Sequence, residues 1–274
     1  MGIEMLKKLL ILLMVATLTA CQTVNTTSSG RVGVNRTQWM FSGLSERQVQ
    51  ASAATAYREE IAKAQQQGVL NKDKKQYVRI KSIANRLIPH TVVFRPDALN
   101  WAWEVNVQNN DQLNAYCMPG GKIMVYSGII QKLNLSDDEL AAVLGHEIAH
   151  ALREHARERM SEQMAEQTIV GVGAAALGLS GESTSLVGMV ANVTFGLPHS
   201  RTHEREADLI GLELMALAGY NPNAAVNLWR KMGEAAMSSP PEFLSTHPSS
   251  SSRIRDLRLN VPRVMPLYRS AKKP

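Results

Sequence analysis

The stretch Leu140-Ala141-Ala142-Val143-Leu144-Gly145-His146-Glu147-Ile148-Ala149-His150 decides how this chain is read. Its last five residues spell H-E-x-x-H in an apolar, helix-forming context. Residues four apart share a helix face, so His146 and His150 present two imidazole nitrogens to one metal ion. Glu147 follows the first of them, within reach of a water that such an ion would hold. Zinc-dependent peptide hydrolysis needs this arrangement. The pentapeptide also arises by chance on ordinary amphipathic helices, and the rest of the chain has to decide between the two.

The flanking residues give the helix a clean start. Ser136 caps it, Glu139 completes a capping box, and Asp137 and Asp138 complement its positive end. The pattern carries the helix to about Gln167. Upstream the period changes from helical to alternating. Trp101 to Val107, Leu113 to Met118 and Lys122 to Tyr126 read as strands, with Pro119-Gly120-Gly121 as a turn. A small antiparallel sheet therefore precedes the H-E-x-x-H helix. Two earlier helices are expected, from a Ser45/Gln48 capping box to about Gln67 and from Lys72 to Ile88. Later ones span Ser200 to Ala218, Pro222 to Ala236 and about Ser250 to Leu259, with a break at Ser238-Ser239-Pro240-Pro241. Residues 168–197 are rich in Gly, Ala and Val, in stretches too short to span a bilayer. They read as a buried or lid-like helical hairpin, or as a segment that touches membrane or gates substrate. The fold class is α+β and mainly helical.

A catalytic zinc with two histidines needs a third protein ligand and an open position. Ser200-Arg201-Thr202-His203-Glu204-Arg205-Glu206-Ala207-Asp208 offers one. Glu204 and Asp208 lie four apart on one face. Glu204 would bind the metal, while Asp208 would accept the outer N–H of a ligating histidine and fix its tautomer. Glu206 points about 200° round from Glu204, so the two cannot share a metal. The competing reading is a charged, solvated helix face. On a continuous helix His155 would face away from His146, by about 180°. His199 and His203 read as surface or packing residues.

The N-terminus reads as a targeting segment. Lys7 and Lys8 precede an apolar run from Leu9 to Leu18, and Leu18-Thr19-Ala20-Cys21 is similar to a bacterial lipobox. Met5 is an alternative start. Resemblance to secreted lipoproteins implies removal of residues 1–20, acylation of Cys21 and, with Gln22 following, the outer membrane. An ordinary secretory signal that happens to hold a cysteine is the alternative. Residues 21–43, rich in Ser, Thr, Asn and Gly, would then be a flexible tether. A folded domain over 44–266 and a basic tail over 267–274 complete the layout. Lipidation of Cys21 leaves Cys117 alone, with no intramolecular disulfide; burial, a stray thiol and a reactive group are the readings open to it. The net charge is +6 in 274 residues, with no basic stripe interleaved with aromatics, which argues against nucleic-acid binding.

Taken together the motifs resemble the gluzincin metallopeptidases of the HtpX, CAAX prenyl protease and Oma type, peptidase family M48. That family pairs H-E-x-x-H with a later E-x-x-A-D, here Glu204-Arg205-Glu206-Ala207-Asp208. Asn114 to Gly121 leading into Ile123-Met124-Val125-Tyr126-Ser127-Gly128 is similar to its hairpin. Thr246-His247-Pro248 with Arg253 and Ile254 is similar to its H-P-x-x-x-x-R-I element. The long transmembrane helices of the integral-membrane members are missing, so the chain looks closer to the periplasmic lipoprotein branch. The resemblance implies one zinc held by His146, His150 and Glu204, with Glu147 as general base and Asp208 in support. It places His247 and Arg253 by the active site, in contact with substrate or the developing oxyanion, with His247 also able to cap the zinc at rest.

The expected activity is endoproteolysis of unfolded or misassembled chains. Such chains expose backbone, and the strand Lys122, Ile123, Met124, Val125 and Tyr126 would pair with it by strand addition. The rivals are a chaperone-like assembly factor at the outer membrane with latent proteolysis, and a purely structural zinc protein.

Overall fold

The computed structural model describes residues 21–176, 185–238, 242–248 and 251–274. The expected signal segment, the Ser239-Pro240-Pro241 break and part of the 168–197 hairpin lie outside them.

The apolar stretch that carries H-E-x-x-H is the centre of the molecule. It forms helix α4 (Asp137–Leu152), here counted after α1 (Glu46–Gln66), α2 (Lys74–Leu87) and α3 (Ser127–Lys132). The α4 capping box forms as expected: Glu139 N–H donates to Ser136 Oγ at 3.3 Å and Ser136 N–H to Glu139 Oε2 at 2.8 Å. Almost every residue of α4 is buried. It packs lengthwise on α7 (Arg201–Leu217), with α2 and α8 (Asn223–Ser238) against other faces. The remaining helices are α5 (His155–Ala176), α6 (Leu186–Ala191), α9 (Glu242–Thr246) and α10 (Ser251–Ser270). Among the described residues, no helix is long and apolar enough to cross a membrane.

Three strands, β3 (Glu104–Gln108), β4 (Ala115–Met118) and β5 (Lys122–Tyr126), form the sheet ahead of α4, in the order β3-β5-β4. The β4–β5 hairpin is antiparallel, as expected, and turns through Gly120 and Gly121 at φ 78° and 81°. The sheet as a whole is mixed, because β5 returns between its neighbours and runs parallel to β3. This corrects the purely antiparallel expectation. It also corrects the docking strand: Lys122, Ile123, Met124, Val125 and Tyr126 are paired on both sides, and β4 is the outer strand beside them. Side chains alternate between two cores. Val105, Val107, Ala115, Cys117, Ile123 and Val125 join the main core. Tyr116, Met118 and Met124 join a smaller one with α1, Met160, Met189 and Val193.

Three further departures have identifiable causes. The helix expected to reach Gln167 breaks after Leu152, because Glu154 adopts a left-handed backbone at φ 51°. That conformation costs a non-glycine residue roughly 1–3 kcal/mol. Ion pairs of Glu154 with Arg95 at 2.7 Å and Arg157 at 2.8 Å hold it in place.

Residues 21–43 form a folded strap, not a loose tether. β1 (Cys21–Val24) and β2 (Gln38–Phe41) pair antiparallel, and Thr27, Val32, Val34 and Gln38 between and within them are buried. The strap is tied down on both sides of Gly30: Ser28 N–H donates to Phe94 O at 2.8 Å and Val32 N–H to Glu213 Oε2 at 3.0 Å. Finally, α10 runs to Ser270 although Pro262 and Pro266 lie inside it. Both prolines are exposed, and the stripe Leu257, Val261 and Val264 stays buried beneath them.

Candidate active site

Two helices bring the site together at a glycine crossing. A Cβ on Gly145 would lie 2.9 Å from Gly211 O, and one on Gly211 would lie 2.7 Å from His146 N. Only hydrogen fits on either side, so α4 and α7 approach closely. His146 and His150 on α4 then face Glu204 and Asp208 on α7. The start of α7 is fixed by Ser200, whose hydroxyl accepts from His203 N–H at 3.1 Å. A third arm comes from the α9–α10 junction, where His247 N–H donates to Phe243 O at 2.8 Å and the His247 ring stacks on Phe243.

Four donors converge. His146 Nε2 lies 3.1 Å from His150 Nε2 and 3.4 Å from Glu204 Oε2. His150 Nε2 lies 3.3 Å from Glu204 Oε1, and His247 Nδ1 lies 2.9 Å from the same oxygen. One ligand atom from each of these four residues falls within 4.8 Å of all the others. His146 Nδ1–H donates to Asp208 Oδ1 at 3.1 Å. Both oxygens of Asp208 also take Arg253, at 2.7 Å each, and Arg253 Nη1 reaches Glu204 Oε2 at 2.5 Å. The Arg253 guanidinium lies over Trp229, its central carbon 3.5 Å from the ring centre.

This donor set fits a metal cation. Carboxylate oxygens of Glu204 and Asp208 lie 3.4 and 3.1 Å from the two ring nitrogens of His146, so the centre is rich in acceptors. The buried carboxyl oxygen Glu147 Oε1, 3.5 Å from His247 Nε2, has no hydrogen-bond partner among the described residues. The carboxylates of Glu204 and Asp208 attract positive charge to His146. Burial works against charge on His146, but its hydrogen bonds to Asp208 and Glu204 outweigh that and push it up to about 9. Burial also works against charge on Asp208, which Arg253 nevertheless holds below the ordinary carboxylate range. At Glu147 burial outweighs the attraction of His247, His146 and Arg253 and raises the pKa, as suits a group that must take up a proton.

The turn at Arg153–Glu154 has a consequence that helical periodicity hides. It swings His155 back against His150, with the two Nδ1 atoms 2.8 Å apart. His155 Nε2–H then donates to Glu206 Oε2 at 3.0 Å. Glu206 shares no ligand atom with Glu204 in the converging group, as its angle round α7 requires, but it stands behind the other histidine. His203 is buried as well, 3.1 Å from Glu158 Oε2 and stacked on His155. His155, Glu158 and His203 form a second cluster of candidate ligands, in which Arg36 and Gln38 already engage the Glu158 carboxylate. No spacing rule points to these residues, because the strap that completes them lies more than a hundred positions away.

Two cavities reach the site, and the larger, of about 180 Å³, is lined by His199, Glu204, Arg205, Pro248 and Arg253. The smaller, of about 30 Å³, lies between β4 and α4, lined by Tyr116, Cys117, Glu147, His150, His199 and His247. That volume admits water and little else. Residues 192–199 close it. Arg159 donates to Val193 O at 2.5 Å and Leu197 O at 2.7 Å, His199 N–H donates to Thr246 O at 2.8 Å, and Phe195 packs on Tyr116. Cys117 is buried, and burial drives its thiol well above its usual range, so it is no activated nucleophile.

A family model described as Peptidase family M48 matches residues 74–261. The mitochondrial metalloendopeptidase OMA1 of Schizosaccharomyces pombe is 43% identical over 162 residues, covering 58% of this chain and 47% of that protein. OMA1 of Arabidopsis thaliana is 37% identical over 152 residues, 56% of this chain and 30% of that one. The beta-barrel assembly-enhancing protease of Yersinia pestis is 31% identical over 199 residues, 68% of this chain and 39% of that one. The chain thus spans less than half the length of these relatives.

Proposed function

This chain belongs to peptidase family M48, and on that premise we propose that it is a zinc-dependent endopeptidase. The convergence of His146, His150 and Glu204 around one point, with Glu147 buried beside it, carries the reading. His146 and His150 would hold the metal through Nε2, and Glu204 would hold it through its carboxylate. Zinc, when bound, supplies a Lewis acid for water and for the scissile carbonyl. Glu147 takes the proton of the attacking water and delivers it to the leaving amine. Asp208 orients His146, and Arg253 braces Asp208 and Glu204 together, all its nitrogens being engaged. His247, at the α9–α10 junction, faces both Glu147 and Glu204, which suits it to the developing oxyanion.

Substrates would be unfolded or misassembled polypeptides, paired as an added strand on β4, the outer strand whose Tyr116 and Cys117 line the cavity. The compartment is read from the lipobox: removal of residues 1–20 and acylation of Cys21 would place the protein on the periplasmic side of a Gram-negative envelope. One set of relatives is mitochondrial by name and another acts in beta-barrel assembly by name. The second set supports an outer-membrane setting and its assembly machinery as a partner. Under this reading Cys21→Ser moves the protein from the membrane fraction to the soluble fraction; unchanged fractionation removes the anchor.

The closed cavity favours a second form of the same reading. With about 30 Å³ between β4 and α4, on the side where Glu147 lies, and His247 within the group of ligand atoms, the resting protein would be latent, and an assembly or chaperone role would run while proteolysis is held off. Metal analysis and digestion of unfolded casein, with and without chelator, test the core proposal. One zinc per chain and chelator-sensitive cleavage restored by zinc are expected. A protein that binds no zinc, or that cleaves in excess chelator, contradicts it.

A further inference from the structure

The metal site has two ligating histidines in the reading above, and each meets a different support. His146 leans on Asp208 and Arg253, all from the stretch matched by the family model. His150 leans on His155, then Glu206, and Glu206 is held by an arginine from outside that stretch. Arg36 Nε donates to Glu206 Oε1 at 2.7 Å and Arg36 Nη2 to Glu206 Oε2 at 3.2 Å. Arg153 Nε donates to Glu206 Oε2 at 3.1 Å from the other side.

We propose that His155, Glu206 and the strap residue Arg36 are positioning residues for the metal site, which set the tautomer of His150 and the aim of its Nε2. This rests on the assignment of His150 as a metal ligand. A carboxylate can only accept, so His155 must carry its proton on Nε2, facing Glu206. Its Nδ1 is then a lone pair. Two ring nitrogens 2.8 Å apart need one proton between them, so His150 carries it on Nδ1. The lone pair of His150 is thereby left on Nε2, facing Glu204 and His146. A ligating histidine normally gives its outer N–H to a carboxylate, a carbonyl or water. Here an imidazole takes that place and passes the constraint one residue further.

The strap makes the relay rigid. Arg36 also holds Glu158, at 2.6 and 2.9 Å, and Gln38 donates to Glu158 Oε2 at 2.6 Å and to Arg153 O at 2.7 Å. Arg153 is fully buried: its guanidinium donates to Asn25 Oδ1 at 2.9 Å, Thr27 Oγ1 at 3.1 Å and Arg36 O at 2.9 Å. Residues 25–38 therefore clasp the α4–α5 turn on which His155 depends. The residues nearest the expected lipid attachment point thus brace one of the two histidine ligands.

The test measures zinc affinity by competition with a chromophoric chelator, on the full chain. Arg36→Met, Glu206→Gln and His155→Phe are expected to weaken zinc binding about 10- to 100-fold, the usual range for loss of such outer partners. Val34→Ala is the comparison, because it thins the same strap without touching the relay. It should lower thermal stability and leave zinc affinity within about twofold. Nitrogen-15 shifts of the His150 ring should report a protonated Nδ1 in the wild type and a mixed population in Arg36→Met. If His155→Phe fails to fold, Arg36→Met, at a partly exposed position, still decides. Zinc affinity in Arg36→Met and Glu206→Gln equal to wild type overturns the proposal. So does an equal loss in Val34→Ala, which would reduce the relay to general stability. A wild-type protein that binds no zinc overturns the metal-site reading itself, a different result from either.

Discussion

Replacing Gly211 by alanine tests whether the α4–α7 crossing sets the metal geometry. The new Cβ would lie 2.7 Å from His146 N and 2.8 Å from Gly145 C, both backbone atoms that cannot turn aside. Ordinary contact begins near 3.4 Å, so the helices must part by about 0.7 Å. Metal–ligand distances tolerate about 0.2 Å. A shift three times larger carries Glu204 and Asp208 away from His146 and His150 together. Overpacking of this kind costs about 1–3 kcal/mol, offset by about 0.5–1 kcal/mol from replacing glycine within a helix. A net loss of about 1–2 kcal/mol lowers Tm by several degrees in a chain of this size. Gly233→Ala is the matched control, since nothing lies within 4 Å of its added Cβ; it should gain stability and leave zinc binding alone. Urea unfolding of the metal-free proteins gives the first quantity and chelator competition the second. Gly211→Ala as stable as Gly233→Ala, with zinc affinity intact, would refute the reasoning.

Arg159→Leu removes both hydrogen bonds that hold residues 193–197 over the cavity. Cleavage of unfolded casein should rise several-fold, and limited proteolysis within 186–199 should speed up; unchanged rates would mean that this segment does not limit access. Acid stability should depend on Glu158. Burial pushes its carboxyl up, but hydrogen bonds from Arg36, His203 and Gln38 outweigh that and bring it down to about 2, from 4.5. A depressed folded-state value means that the unfolded chain binds more protons. The contribution, up to about 3 kcal/mol, is therefore present above pH 4.5 and lost as pH falls towards 2. Arg36→Met raises that folded-state value, so its acid unfolding should begin at higher pH than in the wild type; coincident acid transitions would contradict the assignment.

What the sequence made legible was local. The i, i+4 pairs His146/His150 and Glu204/Asp208 share faces because helix geometry requires it, and the capping boxes at Ser45/Gln48 and Ser136/Glu139 form as their spacing implies. What stayed hidden depends on distant partners. Glu154 takes a left-handed backbone with no glycine to announce it, because Arg95 and Arg157 hold it there. His155 therefore turns towards His150, where an unbroken helix would have turned it away. The strap looks like a linker by composition, yet its polar groups answer buried charges in the α4–α5 turn and on α5 and α7. The central place of β5 follows from a parallel pairing with β3 that alternation alone does not specify. The site itself was readable because its four motifs are short and ordered along the chain, and each is set by local geometry.

Glu147→Gln tests the central claim most directly. The substitution keeps the size of the side chain and leaves His146, His150 and Glu204 in place, but it removes the proton acceptor. Measured side by side with wild type, the variant should hold one zinc per chain with unchanged affinity and cleave unfolded casein roughly 10²–10⁴-fold more slowly, the usual loss for removal of a general base. Cleavage at the wild-type rate by the zinc-loaded variant would contradict the assignment of Glu147 and the peptidase mechanism built on it.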